Sequence, residues 1–358
     1  MQHRLTELQP TISLCMIIKN EEEWLQQCLD SVKDLVSEMI IVDTGSTDNT
    51  KAIAKKNGAK VFDFTWTDDF AAARNFSISK ATCDWILWID ADETIASIDH
   101  DIIKKLIEEA QFPLIILEQR HYTHDSKNLL FKKIDDRYKQ QAKGFEGYTS
   151  TLTTRLFKNK IGLQFEGVVH ETLDKSMLKL KLKFLRTDIP IHHYQNMKSD
   201  SRMKMKQEKY DTLLVEKEKQ DPKDIKNLHD LAITAMQQED LSKAFSYFKK
   251  IYDLDAELLE PHLGMGLIWA KRGDYPRAIK FFLTAMSKKT TRTIELSIPI
   301  TMVRETIIFN LALCYLRVGN RSQALHIFKD MIRLNSRFTP QIQEKMRQMG
   351  ITGTKPAA

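Results

Sequence analysis

The chain has 358 residues, 42% of them hydrophobic, which allows two domains with separate cores. No apolar run reaches the roughly 18–20 residues that a membrane-spanning helix needs, and the first residues lack the cleavage site of a signal peptide. The four cysteines, Cys15, Cys28, Cys83 and Cys314, lack metal-ligand spacing and are typical of reduced thiols. These features predict a cytoplasmic protein without a transmembrane segment.

The net charge of +6 is unevenly distributed. Residues 1–199 carry 27 basic and 29 acidic side chains, a net −2, whereas residues 200–358 carry 27 basic and 19 acidic side chains, a net +8. Such an excess indicates either a docking surface for an anionic partner or ordinary solvated helix faces. The basic residues are dispersed and match no nucleic-acid motif, so we expect no nucleic-acid partner.

Short apolar runs alternate with amphipathic segments over the first 125 residues. The predicted strands cover residues 11–18, 38–42, 60–64, 85–89 and 113–120. The predicted helices cover residues 21–32, 49–57, 68–81 and 99–110, the third with acidic caps. Strands that are apolar throughout and alternate with helices predict an α/β domain with a mostly parallel sheet. Such sheets bind ligands beyond the carboxyl ends of their strands.

This order changes between residues 123 and 190. The polar stretch 124–148 is long for a loop, which indicates a mobile or substrate-covering segment. The segments LTTRLFKN (152–159) and LQFEGVVHETL (163–173) have the pattern of strands that extend the sheet.

From about residue 200 the sequence is helical and repetitive. Three alanines each precede a phenylalanine by four residues and follow another small residue by twelve: Ala232, Ala244 and Phe248; Gly266, Ala278 and Phe282; Ala312, Ala324 and Phe328. The second copy follows the first by 34 residues and the third follows the second by 46, which indicates a twelve-residue insertion. The pattern resembles tetratricopeptide repeats over residues 227–335 and predicts stacked helix pairs; an irregular helical bundle is the alternative.

Polar residues follow the ends of three predicted strands. Asn20 and Glu21 follow the first strand, Asp43 ends the second, and Asp90 and Asp92 follow the fourth. Carboxylates two positions apart at a strand exit can hold one hard cation and the diphosphate that it bridges. A carboxylate at the end of the second strand can accept hydrogen bonds from a nucleotide. The bland alternative is a set of solvated turns and helix caps.

These residues lie in a stretch, TISLCMIIKNEEEW…IIVDTGSTDNT…DDFAAARNFSIS…WILWIDADE, that resembles the nucleotide-sugar domain of family 2 glycosyltransferases. The resemblance covers about residues 11–125 and, more loosely, TRLFKN, FEGVVHE and IPIHHYQN. It implies a GT-A fold and a metal-dependent transferase that uses a nucleotide sugar, usually a UDP-sugar. Asp90, Ala91 and Asp92 match the DxD motif, whose second aspartate holds Mg²⁺ or Mn²⁺.

The resemblance also implies roles for other residues of the domain. Asp43 matches the residue that contacts the base, with Asn20 and Glu21 beside it. Arg74 and Asn75 match residues that reach the ribose and diphosphate. For Arg74 the alternative is a surface salt bridge to a neighbouring aspartate, Asp68 or Asp69.

Inverting transfer needs a carboxylate base near the acceptor. His170 and Glu171 are expected at the end of a strand, which makes Glu171 the first candidate for the base and Glu93 the second. The alternatives are a helix cap for Glu171 and a structural role for His170. In IHHY, His193 fits the place of a metal ligand better than His192 does.

A sugar-nucleotide domain followed by tetratricopeptide-like repeats is similar to the bacterial S-glycosyltransferases of bacteriocin peptides, the glycocin type. Repeats suit extended peptides, so the predicted acceptor is a peptide or protein side chain, Cys or Ser/Thr. The alternatives are a lipid-linked or cell-surface glycan as acceptor, an inactive repeat scaffold, and repeats that form a homodimer. The predicted domains are residues 1–198 and 199–358.

Overall fold

The computed structural model describes residues 9–126, 128, 131–167, 169, 171–197, 200–294, 298 and 300–351. The chain divides into two compact units, Met1–Tyr210 and Asp211–Ala358. Among the described residues no helix combines the length and the apolar character that crossing a bilayer demands.

The first unit is built on a nine-stranded mixed sheet with the order β3-β2-β1-β4-β8-β6-β9-β5, in which β7 pairs with β8. The strands are β1 (Ile12–Ile18), β2 (Glu38–Asp43), β3 (Lys60–Asp63), β4 (Trp85–Trp88), β5 (Glu93–Thr94), β6 (Leu114–Thr123), β7 (Lys132–Lys133), β8 (Gly147–Lys158) and β9 (Phe184–His193). The strands β1, β2, β3 and β4 pair in parallel, as β6 and β9 also do. Their carboxyl ends therefore lie at one edge.

The helices of the first unit cover the sheet. They are α1 (Leu25–Val32), α2 (Thr50–Lys56), α3 (Phe70–Ser79), α4 (His100–Glu108) and α5 (Asp174–Lys179). The predicted acidic cap of the third helix is confirmed, because the Asp69 side chain accepts a hydrogen bond from the Ala72 amide. Except for Ile17, the residues of β1 are buried, as expected for a strand with helices on both faces of its sheet.

Two predicted strands behave differently from the expectation. The 113–120 segment forms β6, but β6 pairs antiparallel with β8, which inserts between it and β4. The prediction of a strand over 163–173 is wrong for its described residues, which contribute an isolated bridge between Glu166 and Thr172. The reason is local: Asn75 of α3 holds the backbone of Phe165, and Gly167 has a φ of 110° that turns the chain. His170 lies outside the described residues.

The segment predicted to be mobile or substrate-covering is held to the sheet domain where it is described. Asp135 accepts a hydrogen bond from Arg120 of β6 at 3.0 Å. Arg137 and the Tyr138 hydroxyl both donate to the buried carboxylate of Asp99. The prediction that the segment is mobile or covers the substrate stays a prediction.

The second unit is helical. The helix α6 (Asp200–Gln220) leads into it, followed by α7 (Ile225–Gln237), α8 (Leu241–Leu254), α9 (Leu259–Lys271), α10 (Tyr275–Ser287), α11 (Ile300–Arg317), α12 (Arg321–Arg333) and α13 (Thr339–Gln348). The three repeated phenylalanines are buried at 1% exposure or less. A Cβ added to Gly266 would lie 2.4 Å from the Phe282 ring, so the small residue makes room for the aromatic one. The predicted arrangement into an α/β domain followed by a helical repeat region is confirmed.

A further repeated feature joins the helices of each pair. Glu239, Gly273 and Gly319 all have positive φ, at 60°, 80° and 82°. Each is followed by an aspartate or asparagine whose side chain caps the next helix: Asp240, Asp274 and Asn320. These turns have the same 34- and 46-residue spacing as the phenylalanines, which supports the assignment of three related helix pairs.

Candidate active site

The loop after β2 is organised by Asp43. The Asp43 side chain is 2% exposed and accepts hydrogen bonds from the amides of Gly45, at 3.1 Å, and Ser46, at 3.0 Å. Gly45 has a φ of 105°, which favours glycine, and a Cβ at this position would meet nothing within 4 Å. The loop therefore keeps open space beside a buried carboxylate at the carboxyl edge of the sheet.

The exit of β1 is tied to that loop. Asn20 has a φ of 53°, its amide donates to the Ser46 hydroxyl at 2.9 Å, and its side-chain oxygen accepts from the Thr47 amide at 2.8 Å. The Glu21 amide donates to the Thr50 hydroxyl at 2.7 Å. The two predicted binding residues thus lie beside the Asp43 loop, as expected from the parallel pairing of β1 and β2.

Arg74 is the buried cation of the site, with 6% exposure. Its Nη2 donates to Asp90 Oδ1 at 2.8 Å, its Nε donates to Glu171, and the guanidinium lies 4.4 Å from the centre of the Trp88 ring. The alternative of a surface salt bridge to Asp68 or Asp69 is therefore wrong. Among the described residues, Arg74 Nη1 is buried without a hydrogen-bond acceptor. Burial lowers the pKa of Arg74, but the charges of Asp90 and Glu171 outweigh this effect and raise the pKa.

Asp90 and Ala91 follow β4 directly. Burial raises the pKa of Asp90, but the charges of Arg74 and Arg155 outweigh this effect and hold it at about 2. Asp90 therefore stays a carboxylate at neutral pH. Ala91 is 4% exposed and packs into the main core of the unit.

Asn75 has a structural contact that sequence reasoning did not reveal. Its side-chain amide donates to the Phe165 carbonyl at 2.9 Å and accepts from the Phe165 amide at 2.8 Å. This paired contact holds the backbone of Phe165. The Glu171 side chain is 11% exposed. A direct role of Asn75 at a ribose remains a prediction.

Glu93, the second candidate for the base, is fully buried in an ion pair. Arg155 donates Nη1 to Oε2 and Nη2 to Oε1, both at 2.9 Å, and Glu93 is 0% exposed. The Asp90 amide and Gln119 donate to the same carboxylate. Burial raises the pKa of Glu93, and Arg155 opposes the rise. A carboxylate so enclosed is placed to support the loop rather than to meet an acceptor.

Asp92, in the turn directly before β5, faces His193 at the end of β9. Glu93 and His193 are partners in the β5–β9 ladder, which sets Asp92 Oδ2 3.5 Å from His193 Nε2. Asp92 is 6% exposed and His193 is 8% exposed. Burial lowers the pKa of His193, but its contact with Asp92 and the charge of Glu93 outweigh it, so the pKa is raised.

The neighbouring His192 points away from this pair and into the core. It is 0% exposed, and its Nδ1 lies 2.6 Å from the Tyr122 hydroxyl. Burial lowers the pKa of His192 to about 3, so it is neutral near pH 7. The geometry therefore favours His193 over His192 as a metal ligand.

The donor atoms fit a cation only in part. Among the described residues, no group of three or more His, Cys, Asp or Glu side chains is arranged to hold a metal ion. Asp92 and His193, however, lie 3.5 Å apart, close to the roughly 3.0–3.4 Å between adjacent ligand atoms that are each about 2.1 Å from one metal. Two protein ligands suffice for Mg²⁺-type sites in which substrate phosphates complete the shell.

The structure thus places the predicted residues in three groups at the carboxyl edge: Asp43, Asn20 and Glu21; Arg74, Asp90 and Glu171; Asp92 and His193. Sequence reasoning missed Arg155, Gln119 and His121, which surround Glu93 and His193. Arg155 lies within an apolar strand pattern, LTTRLFKN, and a charged residue that alternates into a core is a signal for a buried partner.

Comparison with known proteins finds a matching family model and similar sequences. Residues 13–165 match the Glycosyl transferase family 2 model. A protein of Synechococcus elongatus described as TPR repeat-containing is 42% identical over 48% of this chain and 37% of its own length. The SPbeta prophage-derived glycosyltransferase SunS of Bacillus subtilis is 27% identical over 68% of this chain and 55% of its own length. An uncharacterized glycosyltransferase of Rickettsia conorii is 33% identical over 50% and 57%.

Among solved structures, glucosyl-3-phosphoglycerate synthase of Mycobacterium tuberculosis in complex with phosphoglyceric acid is 18% identical, with a TM-score of 0.39, over 54% of this chain and 75% of that chain. The chain spans between 37% and 57% of the length of the three curated relatives. The resemblance inferred from the sequence is confirmed for residues 13–165, which match the family 2 glycosyltransferase domain.

Proposed function

We propose that the chain is a metal-dependent inverting glycosyltransferase that moves a sugar from a nucleotide sugar, favoured as a UDP-hexose, to a peptide or protein side chain. The observation that carries the proposal is the arrangement at the carboxyl edge of the sheet. Arg74 joins Asp90 to Glu171, and the next carboxylate along the chain, Asp92, faces His193. A buried cation and a paired ligand set beside it suit a diphosphate leaving group.

In this proposal Asp92 and His193 hold Mg²⁺ or Mn²⁺, and Asp90 contributes to the charge of the site. The metal, when bound, supplies Lewis acidity to the departing diphosphate. Arg74 supports the same charge from the protein side. Its guanidinium is buried and lies 4.4 Å from the centre of the Trp88 ring, so it can add positive charge beside a bound diphosphate without being fully solvated.

The nucleoside would bind at the Asp43 loop. The Asp43 carboxylate lies at the end of β2 with open space above Gly45, where a base can approach the backbone. Asn20 and Glu21 shape this space through their hydrogen bonds to the loop. Ala91 packs into the core between the two aspartates, and Asn75 holds the backbone of Phe165.

Glu171 is the proposed base. It is partly accessible, at 11% side-chain exposure, and lies beside the donor-side cation Arg74. Glu93 is an inferior candidate because Arg155 encloses its carboxylate. A thiol acceptor would need less help from a base than a hydroxyl, since a thiolate forms readily near neutral pH.

The character of the second unit is the reason for proposing a peptide acceptor. Repeated helix pairs present extended surfaces that suit a chain of residues, and residues 200–358 carry a net charge of +8. The glycosyltransferase chemistry is assigned to the first unit, and the repeats are assigned to acceptor docking. A lipid-linked or cell-surface glycan is the competing acceptor class.

The test combines donor hydrolysis and acceptor transfer. UDP- and GDP-sugars are screened with and without Mn²⁺, first for hydrolysis and then for transfer to acidic and neutral peptides that contain Cys, Ser or Thr. We expect a UDP-sugar to be turned over with Mn²⁺ and to lose turnover in the Asp92→Asn variant but not in the matched surface variant Asp101→Asn.

If no donor were hydrolysed, the alternative of an inactive repeat scaffold would be favoured. If sugar were transferred to lipid-linked glycans alone, the peptide acceptor would be wrong. The mass of the protein in solution separates acceptor docking from dimer formation by the repeats. Tight dimers that bind no acceptor peptide would refute the docking role.

A further inference from the structure

We infer that His121 and Thr151 position His193 by fixing the hydrogen of its imidazole on Nδ1, which leaves the Nε2 lone pair directed at Asp92. The inference rests on the proposed function only in assigning cation binding to His193. The hydrogen position itself follows from contacts among described side chains.

The four side chains involved lie on adjacent strands. His121 is the partner of His193 in the β6–β9 ladder, and Gln119 is the partner of Thr151 in the β6–β8 ladder. The two histidine Nδ1 atoms are 2.9 Å apart, and His121 Nε2 is 3.0 Å from the Thr151 hydroxyl oxygen. The Thr151 hydroxyl in turn lies 3.1 Å from Gln119 Oε1. The contacts form one continuous chain.

The direction of this chain is fixed at its far end. Gln119 Nε2 donates to Oε1 of Glu93. Both oxygens of Glu93 are paired with Arg155, so Glu93 is a carboxylate here and has no hydrogen to donate. Gln119 Oε1 is therefore the atom turned to Thr151, and an amide oxygen can only accept. The single hydroxyl hydrogen of Thr151 is thus committed to Gln119.

The tautomers of the two histidines follow. Because the Thr151 hydrogen is committed, His121 must donate from Nε2 to the Thr151 oxygen. A neutral imidazole that carries its hydrogen on Nε2 has a lone pair on Nδ1. Neutral His193 must then supply the hydrogen between the two Nδ1 atoms, whose 2.9 Å separation is shorter than the 3.4 Å from His193 Nδ1 to Gln119 Nε2. The lone pair of neutral His193 is therefore on Nε2, 3.5 Å from Asp92 Oδ2.

Asp92 Oδ2 and Nε2 of neutral His193 can then both offer a lone pair to a cation between them. Histidines that bind metals usually donate their other ring N–H to a neighbouring acceptor, which fixes tautomer and ring orientation. Here that acceptor is Nδ1 of His121. It can accept because the hydrogen bond to Thr151 holds the hydrogen of His121 on Nε2. The opposite hydrogen order would direct an N–H from His193 at Asp92, block the metal-binding lone pair, and cost Gln119 its hydrogen bond from Thr151.

Thr151 offers a clean variant because it is exposed. Thr151→Val keeps the shape but removes the hydroxyl, and Thr151→Ser keeps the hydroxyl. In protein labelled with ¹⁵N-histidine, nitrogen shifts recorded without metal, above the titration range of imidazoles, report the tautomer of His193; a His193→Gln variant assigns its signals. We expect Nδ1–H in the wild type and in Thr151→Ser, and a shift toward Nε2–H in Thr151→Val.

A second readout measures the binding of Mn²⁺ in the presence of UDP by the electron paramagnetic resonance of free Mn²⁺. We expect Thr151→Val to bind about tenfold more weakly, the lower end of the 10- to 100-fold effect of such outer partners, and Thr151→Ser to match the wild type. Nε2–H in the wild type, or the same tautomer in Thr151→Val, would overturn the inference. If the wild type bound no Mn²⁺, the proposed metal dependence would fail, and the tautomer alone would decide the inference.

Discussion

Substitution of Arg155 should lower the free energy of unfolding, because it leaves the buried carboxylate of Glu93 without its ion-pair partner. Glu93 is 0% exposed and Arg155 2%, and they share two hydrogen bonds of 2.9 Å. Arg155→Met keeps a long side chain over Trp88, whose ring centre lies 3.8 Å from the guanidinium carbon, but leaves Glu93 unpaired. Breaking one half of a buried ion pair typically costs about 3–5 kcal/mol.

Proton uptake by Glu93 limits the loss in this variant. Protonation of a carboxyl with an ordinary pKa of 4.5 costs about 1.4 kcal/mol per pH unit, or about 3.4 kcal/mol at pH 7 and about 0.7 kcal/mol at pH 5. Burial already raises the pKa of Glu93 in the folded wild type, and loss of the opposing charge of Arg155 raises it further, so the folded variant takes up the proton before the unfolded chain does. The deficit relative to the wild type should therefore shrink as the pH falls from 7 to 5, by at most about 2.7 kcal/mol.

Urea unfolding followed by tryptophan fluorescence measures this deficit. A Trp269→Phe background removes the tryptophan of the second unit, so the signal reports residues 1–210. The double variant Glu93→Gln and Arg155→Met is the control. Its deficit relative to the wild type should change much less with pH, and at pH 7 it should be more stable than Arg155→Met. A pH-independent deficit, or a double variant as unstable as the sum of the single ones, would refute the ion-pair reasoning.

Three further predictions concern the site and the repeats. Asp92→Asn should abolish Mn²⁺-dependent donor hydrolysis with nearly the same melting temperature, and full turnover of chelator-treated wild type would contradict it. With a hydroxyl acceptor, Glu171→Gln should lower kcat by about 10²–10⁴ with little change in donor affinity; near-normal kcat would indicate another base or a thiol acceptor. Gly266→Ala should destabilise the repeats by about 1–2 kcal/mol in urea unfolding, because overpacking against Phe282 exceeds the gain in helix propensity; a more stable variant would contradict the packing.

The sequence predicts best where one local rule decides the outcome. The strands β1, β2 and β4 coincide with apolar runs because both faces of each are covered, so no alternation complicates the pattern. The small-residue and phenylalanine spacing predicted the helix pairs because each pair contributes its own core. The position of Asp90 and Asp92 after β4 follows directly from the end of that strand.

Contacts between distant segments were not predictable in this way. The insertion of β8 between β4 and β6 depends on pairings far apart in sequence, and it alone brings Arg155 to Glu93. The register of β9 decides between the two adjacent histidines, since a shift by one residue would exchange the faces of His192 and His193. No local pattern contains that information.

The extra residues of the third repeat have a consequence for how the array can vary. α11 has 18 residues, whereas α7 and α9 have 13 each, so five residues lengthen its start by about 7.5 Å. Arg304 in this added turn donates to the carbonyls of Lys288 and Thr290, which closes the longer connection locally. The turn at Gly319 and Asn320 is untouched by the added length. We therefore expect that the connection after α10 can be changed, for example by grafting a recognition peptide, while the packing of each helix pair stays the same.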